Sequence, residues 1–157
     1  MVSFSEAFFM ALLSIGHHDI SNTRGYDLQQ LECLSEAVFF ESSNQSTFGK
    51  EAVALVIKNR KAAKGTSYCK EIARPKQFSY RNTSAYMARN LDFSNPHTQT
   101  KIRSVIHVAW RVKMGLEHDV TGGATHYINP DEATDFSWAK KYKKTTVIGN
   151  HHFYRKA

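Results

Sequence analysis

Apolar side chains recur every three or four positions near the start of the chain. Leu28, Leu31, Leu34 and Val38 fall on one face at helical spacing, and this predicts a helix over 27–41 with Asp27 as its N-cap. Glu41 comes three residues after Val38 and continues that stripe, where the chain turns polar at Ser42-Ser43-Asn44-Gln45-Ser46. Residues 52–57 are apolar on every side and mark a helix over 48–61 through the centre of the core. An apolar run over 4–15 predicts a further helix over 5–15, packed on the domain and ending at Gly16. The pattern breaks over 65–90, which reads as loops and a short helix. Asn95-Pro96 then reads as N-cap and first position of a helix faced by Ile102, Val105, Ile106, Ala109 and Val112, with Gly115 at its end. The last third changes character. Residues 124–128 and 145–154 are rich in β-branched and aromatic side chains, with a turn at Gly149-Asn150. The prediction is an α+β fold, mainly helical, with a small sheet in the C-terminal third.

Glu41 is the residue with chemical promise. A carboxylate on a buried stripe is costly unless it is paired or protonated. Desolvation raises a carboxyl pKa, and a glutamate held protonated near neutrality can act as a general acid. A residue that only caps or pairs at a helix end would show the same spacing, so periodicity leaves both readings open. Glu32 and Glu36 point away from the stripe and read as solvated charges.

A length of 157 residues suits a single catalytic domain, 1–157, and no repeat or linker divides it. The net charge of +7 points to an anionic partner: nucleic acid, a membrane surface or a bacterial wall. The densest basic run, Lys140, Lys141, Lys143 and Lys144, reads first as a solvated face. Aromatic residues are not interleaved with the basic ones, so a nucleic-acid stacking platform is not expected. Cys33 and Cys69 allow one disulfide or two buried thiols, and two thiols is the commoner outcome. There is no Cys-x-x-Cys and no His-Glu-x-x-His, and the adjacent His151 and His152 would point to opposite faces of a strand. Neither a metal site nor a cofactor is expected. The apolar N-terminal run carries Glu6 where a secretory signal needs basic residues, and it is too short to span a bilayer.

Several blocks of sequence, in order, carry a resemblance. They are Val38-Phe39-Phe40-Glu41-Ser42-Ser43, then Phe48-Gly49 leading through an apolar helix to Asn59-Arg60, then Cys69 to Gln77-Phe78-Ser79. Gly123-Ala124-Thr125-His126-Tyr127-Ile128-Asn129-Pro130 follows, then Trp138 and Thr146 to Tyr154. In these blocks the chain resembles the SleB/CwlJ-type cell-wall hydrolases from about Leu28 to Tyr154, with residues 1–26 outside the match and 27–157 as the core. It departs from that pattern after Glu41, where many members carry Gly-Glu and this chain has Asn44-Gln45.

The resemblance implies a lysozyme-like architecture with a glycan cleft and Glu41 as the catalytic acid. It implies cleavage of the β-1,4 bond between N-acetylmuramic acid and N-acetylglucosamine by a lytic transglycosylase, which needs one glutamate rather than the usual two carboxylates. A hydrolytic muramidase is the alternative. A zinc amidase and a basic nucleic-acid binder rank below it. Asp92, Asp131, Glu132 and Asp135 are the candidates for a second acid, with Asp131 and Glu132 better read as a solvated turn. Matching positions put Gln77, Phe78 and Ser79 on one cleft wall and Tyr127 and Asn129 on the other, and Ser42, directly after the acid, either positions substrate or closes the helix end. Phe78 and Trp138 suit packing equally well. The expected partner is peptidoglycan, approached through the basic surface by a monomer. An enzyme of this family without an export signal fits a bacteriophage endolysin, made in the host cytoplasm and released through a separate pore.

Overall fold

A computed structural model describes residues 1–15, 26–74, 91–133 and 135–156. Helix α1 (Phe4–Ser14) opens on a capping box. The Ser3 hydroxyl accepts from the Glu6 amide at 3.1 Å while the Glu6 carboxylate accepts back from the Ser3 amide. Glu6 therefore starts a helix. Phe4, Ala7, Phe8, Ala11 and Leu12 are buried along α1, which packs on the helical body as the sequence predicts.

Helix α2 (Tyr26–Ser42) takes in the whole predicted stripe. Leu31, Leu34 and Val38 are fully buried. Asp27 lies inside the first turn, so it is not the N-cap. It favours the helix dipole there and pairs with Lys113 at 3.3 Å. Glu36 is half-buried and engaged, not solvated.

Helix α3 (Thr47–Lys64) is capped by Ser46, whose hydroxyl accepts from Gly49, and stops at the left-handed Gly65. The short α4 (Tyr68–Ile72) falls where a short helix was expected, and residues 75–90 lie outside the described residues. Cys33 and Cys69 form a disulfide that ties α2 to α4, with a Cα–Cα distance of 5.2 Å. This corrects the expectation of two thiols: the fold brings together residues 36 positions apart, which spacing alone does not reveal. Helix α5 (Pro96–Lys113) has Asn95 as N-cap and Pro96 at its start, as predicted.

The sheet is antiparallel in the order β1 (His126–Ile128), β3 (His151–Lys156), β2 (Tyr142–Ile148), with Gly149-Asn150 turning between β2 and β3. Gly149 has φ +57°, and a Cβ there would also come 2.9 Å from the Gln45 side chain. Glycine is thus favoured by the left-handed backbone of the turn, while the mobile end of the Gln45 side chain could make room for a Cβ. Strand β2 starts earlier than residue 145, after a 3-10 turn at Ser137–Lys141. Lys143 and Lys144 are exposed on this edge strand, where charge discourages pairing with another chain.

Helix α3 serves two apolar clusters, which explains why residues 52–57 have no polar face. Val53, Ala54, Leu55 and Ile57 join the larger core of α1, α2, α4 and α5. Ala52 and Val56 pack instead with Ala124, Ile148 and Phe153 beneath the sheet. The helical body and the sheet are thereby fixed against one central rod.

Candidate active site

The last turn of α2 delivers Glu41, and the far end of α3 delivers its surroundings. Asn59 donates through one amide nitrogen to the Ala124 carbonyl at 2.9 Å and to the Asp119 carboxylate at 3.0 Å. Asp119 also accepts from the amides of Thr121 and Gly123, which shapes the loop before β1. The next α3 residue, Arg60, donates from Nε to the Thr125 carbonyl. Two successive residues at one helix end thus pin the backbone entering β1. Tyr127 follows two residues later and pairs with Phe153 across the ladder.

Side chains alternate across a sheet, so this register sets which face each presents. Tyr127 stacks with His151 and Phe153, with ring centroids 4.9 and 5.9 Å away. On the opposite face His126, Trp138, Tyr142 and Tyr154 form an aromatic cluster, which gives Trp138 a packing role. The Tyr127 hydroxyl donates to Glu41 Oε2 at 2.9 Å. An acid and a phenol 86 residues apart in sequence therefore meet.

Opposing forces act on Glu41. Burial pushes its pKa above the ordinary carboxylate value, while the Tyr127 hydrogen bond and the Arg60 charge pull back, and burial prevails. Arg60 is itself buried, with 8% exposure, and burial opposes its charge. Tyr127, Glu71, Glu41 and Tyr142 support that charge. Glu71, fully buried on α4, lies 3.5 Å from Lys64 Nζ and 3.4 Å from Arg74 Nε. On the outer face His126 is held down to about 4 by burial and by the charges of Arg60, Lys64 and Lys156. His151 is lowered by burial, against the pull of Glu132.

The other expected site residues divide. Ser42 is buried, and its hydroxyl donates to the Val38 carbonyl at 2.8 Å, so it closes the helix end instead of facing substrate. Asn129 uses its side-chain oxygen to accept from the Asp131 amide at 3.1 Å, and its carbonyl accepts from Glu132 and Ala133. It is half-buried and shapes the turn after β1. Asp131 and Glu132 are exposed in that turn, as read from Asn-Pro-Asp. Asp92 accepts from the Ser94 amide in a separate exposed turn. Asp135 lines a surface cleft of about 440 Å³ with Phe136 and Tyr154, on the aromatic side of the sheet. Gln77, Phe78 and Ser79 lie outside the described residues. Among the described residues no group of three or more His, Cys, Asp or Glu could hold a metal ion, and no helix is long and apolar enough to cross a membrane. Sequence reasoning missed Arg60 as a member of the site. Its signal was its place beside Asn59 at the end of an otherwise apolar helix.

The chain is similar to the catalytic domain of the germination-specific lytic transglycosylase SleB from Bacillus anthracis. Identity is 25% and the TM-score 0.59, over 85% of this chain and 99% of that one. It is also similar to the catalytic domain of the Bacillus cereus SleB protein, at 27% identity and a TM-score of 0.55, over 85% of this chain and 94% of that one. No curated protein sequence matches the chain. The Cell Wall Hydrolase family profile matches residues 44–154, a span that starts just after Glu41 and includes Arg60 and Tyr127. That match covers most of the chain, which belongs to the cell wall hydrolase family.

Proposed function

We propose that this chain is a lytic transglycosylase that cleaves the β-1,4 bond between N-acetylmuramic acid and N-acetylglucosamine in peptidoglycan. One observation carries the reading: Glu41 is a carboxyl with a raised pKa, bonded to a tyrosine hydroxyl, with no second acid among the groups acting on it. Of the candidates for a second acid, Asp92, Asp131, Glu132 and Asp135 are held in exposed turns and segments. The undescribed segments contain one acidic residue, Asp19.

In this reading Glu41 begins protonated. It gives its proton to the glycosidic oxygen, the bond to the muramic anomeric carbon breaks, and N-acetylglucosamine leaves as an alcohol. The Glu41 carboxylate, held by the Tyr127 hydroxyl, then takes the proton of the muramic C6 hydroxyl. That oxygen bonds to the anomeric carbon, giving a 1,6-anhydro end. Glu41 finishes protonated, and no water is consumed. Arg60 limits the cost of the carboxylate form during the cycle. The likeness to the SleB catalytic domains supports this chemistry. Use in bacterial cell lysis, as by an endolysin, is the finer reading of the same activity.

The test is mass spectrometry of purified peptidoglycan digested by wild type and by Glu41→Gln. Wild type should release anhydro-muropeptides, and the variant should lose about a thousandfold in rate. Reducing-end muropeptides would make the enzyme a hydrolytic muramidase. Free stem peptides, or full activity in the variant, would remove Glu41 from the mechanism.

A further inference from the structure

A second cationic site lies at the other end of α3. Lys50, in its first turn, shares a pocket of about 360 Å³ with Ser43, Asn44, Thr100, Lys101 and Ser104. The last three come from the N-terminal half of α5. Lys50 is 7% exposed, and its ammonium donates to the Ser104 hydroxyl at 3.3 Å. The Lys101 ammonium donates to the Asn44 side-chain oxygen at 3.0 Å. Among the described residues neither lysine has an acidic partner.

This arrangement carries several uncompensated costs. An ammonium has three donors, and Ser104 takes one. Burial and the Lys101 charge both lower the Lys50 pKa. Helices α3 and α5 have no acid in their first turns, so their positive dipole ends add to the local potential. Hydroxyl and amide groups of Ser43, Asn44, Thr100 and Ser104 ring the same space. An oxyanion entering the pocket would relieve all of these costs together.

We propose that this pocket binds a free carboxylate of the peptidoglycan stem peptide. The proposal rests on the peptidoglycan reading above. The glycan backbone offers neutral hydroxyl and N-acetyl groups, whereas its peptide stems carry carboxylates. Ser43 and Asn44 follow Glu41 by two and three residues in the chain, so a stem held here is tied to the end of the helix that carries the acid. The pocket thus selects walls whose muramic residues still bear peptides.

The full-length protein, nitrogen-15 labelled, should be titrated with muramyl dipeptide, with its bis-amide and with inorganic phosphate. Muramyl dipeptide should shift the amides of Ser43, Asn44 and Ser104, and the bis-amide should not. Lys50→Gln should weaken binding about tenfold or more, and Lys101→Gln should weaken it less. Lys101 is the more exposed of the two, so its variant reports on the pocket even if Lys50→Gln perturbs the fold. No shift in wild type, equal binding of the bis-amide, or unchanged affinity in both variants would overturn the proposal. Tighter binding of phosphate would overturn it in favour of a phosphate-bearing polymer. On walls, Lys50→Gln should cut intact peptidoglycan about tenfold more slowly and peptide-free glycan strands at the wild-type rate. An equal loss on both would mean a merely structural role. If wild type cuts neither substrate, the peptidoglycan reading fails, while the titration still decides what the pocket binds.

Discussion

Lys50 and Arg60 sit ten residues apart on the same helix and are almost equally buried, at 7% and 8% exposure, yet their surroundings are opposite. Arg60 lies among Glu41, Glu71, Tyr127 and the Thr125 carbonyl, so its charge is supported on several sides. Lys50 has a serine hydroxyl and a second lysine. The difference teaches that burial of a charge does not by itself reveal its role. A supported cation holds the fold and tunes an acid, whereas an unsupported one awaits a ligand. Both were hidden in the reading of α3 as a helix through the centre of the core, because long basic side chains can bury their stems beside its apolar middle.

The largest expected effect on stability tests what holds Glu71 beside Arg60. The Cys33–Cys69 disulfide tethers α4 to α2 across 36 residues. The double substitution Cys33→Ser and Cys69→Ser should cost about 4 kcal/mol of unfolding free energy in denaturant titration, if the constraint on the unfolded chain dominates. A loss below about 1 kcal/mol would mean that packing alone holds α4 in place.

The next effect separates the two cations directly. Arg60→Met removes the supporting charge from the buried acids and should destabilise by about 3 kcal/mol. Lys50→Met removes an uncompensated charge and should leave stability within about 0.5 kcal/mol of wild type, or raise it. Paired denaturant melts check both. Equal losses would erase the distinction.

A smaller effect follows the field of Arg60 to the outer face of the sheet. His126 has its pKa lowered to about 4 in the fold, from an ordinary 6.5. The unfolded chain therefore binds the proton more readily between those values, and stability falls as pH drops from 6.5 toward 4. The ring is partly exposed, so screening reduces the effect to about 1 kcal/mol. Thermal melts across that window should show the slope, and His126→Gln should flatten it. An unchanged slope in the variant would assign it to other groups.

Much of this was legible in the sequence, for physical reasons. The 3.6-residue period exposed the helical body and put Glu41 on a buried stripe. Asn95-Pro96 and Gly149-Asn150 marked a helix start and a turn through their backbone preferences. Asp27 was misplaced because an acid in the first turn resembles an N-cap. The start of β2 was missed because Lys143 and Lys144 read as a solvated run, which is also how an edge strand is protected. The Tyr127–Glu41 bond was the least accessible. It depends on Asn59 and Arg60 pinning the entry to β1, a tertiary consequence that no local pattern encodes. Only the ordered resemblance blocks pointed to Tyr127. For Ser42 the sequence left substrate positioning and helix closure open, and its hydroxyl turns back onto its own helix.

The central claim is that burial holds Glu41 ready to give a proton while Tyr127 restrains the shift. Carbon-13 NMR titration of the Glu41 carboxyl, in wild type and in Tyr127→Phe, tests it most directly. The account expects a wild-type pKa above the ordinary 4.5 and a higher one still in Tyr127→Phe, where the bond favouring the carboxylate is gone. A wild-type value at or below 4.5, or a fall in the variant, would contradict it.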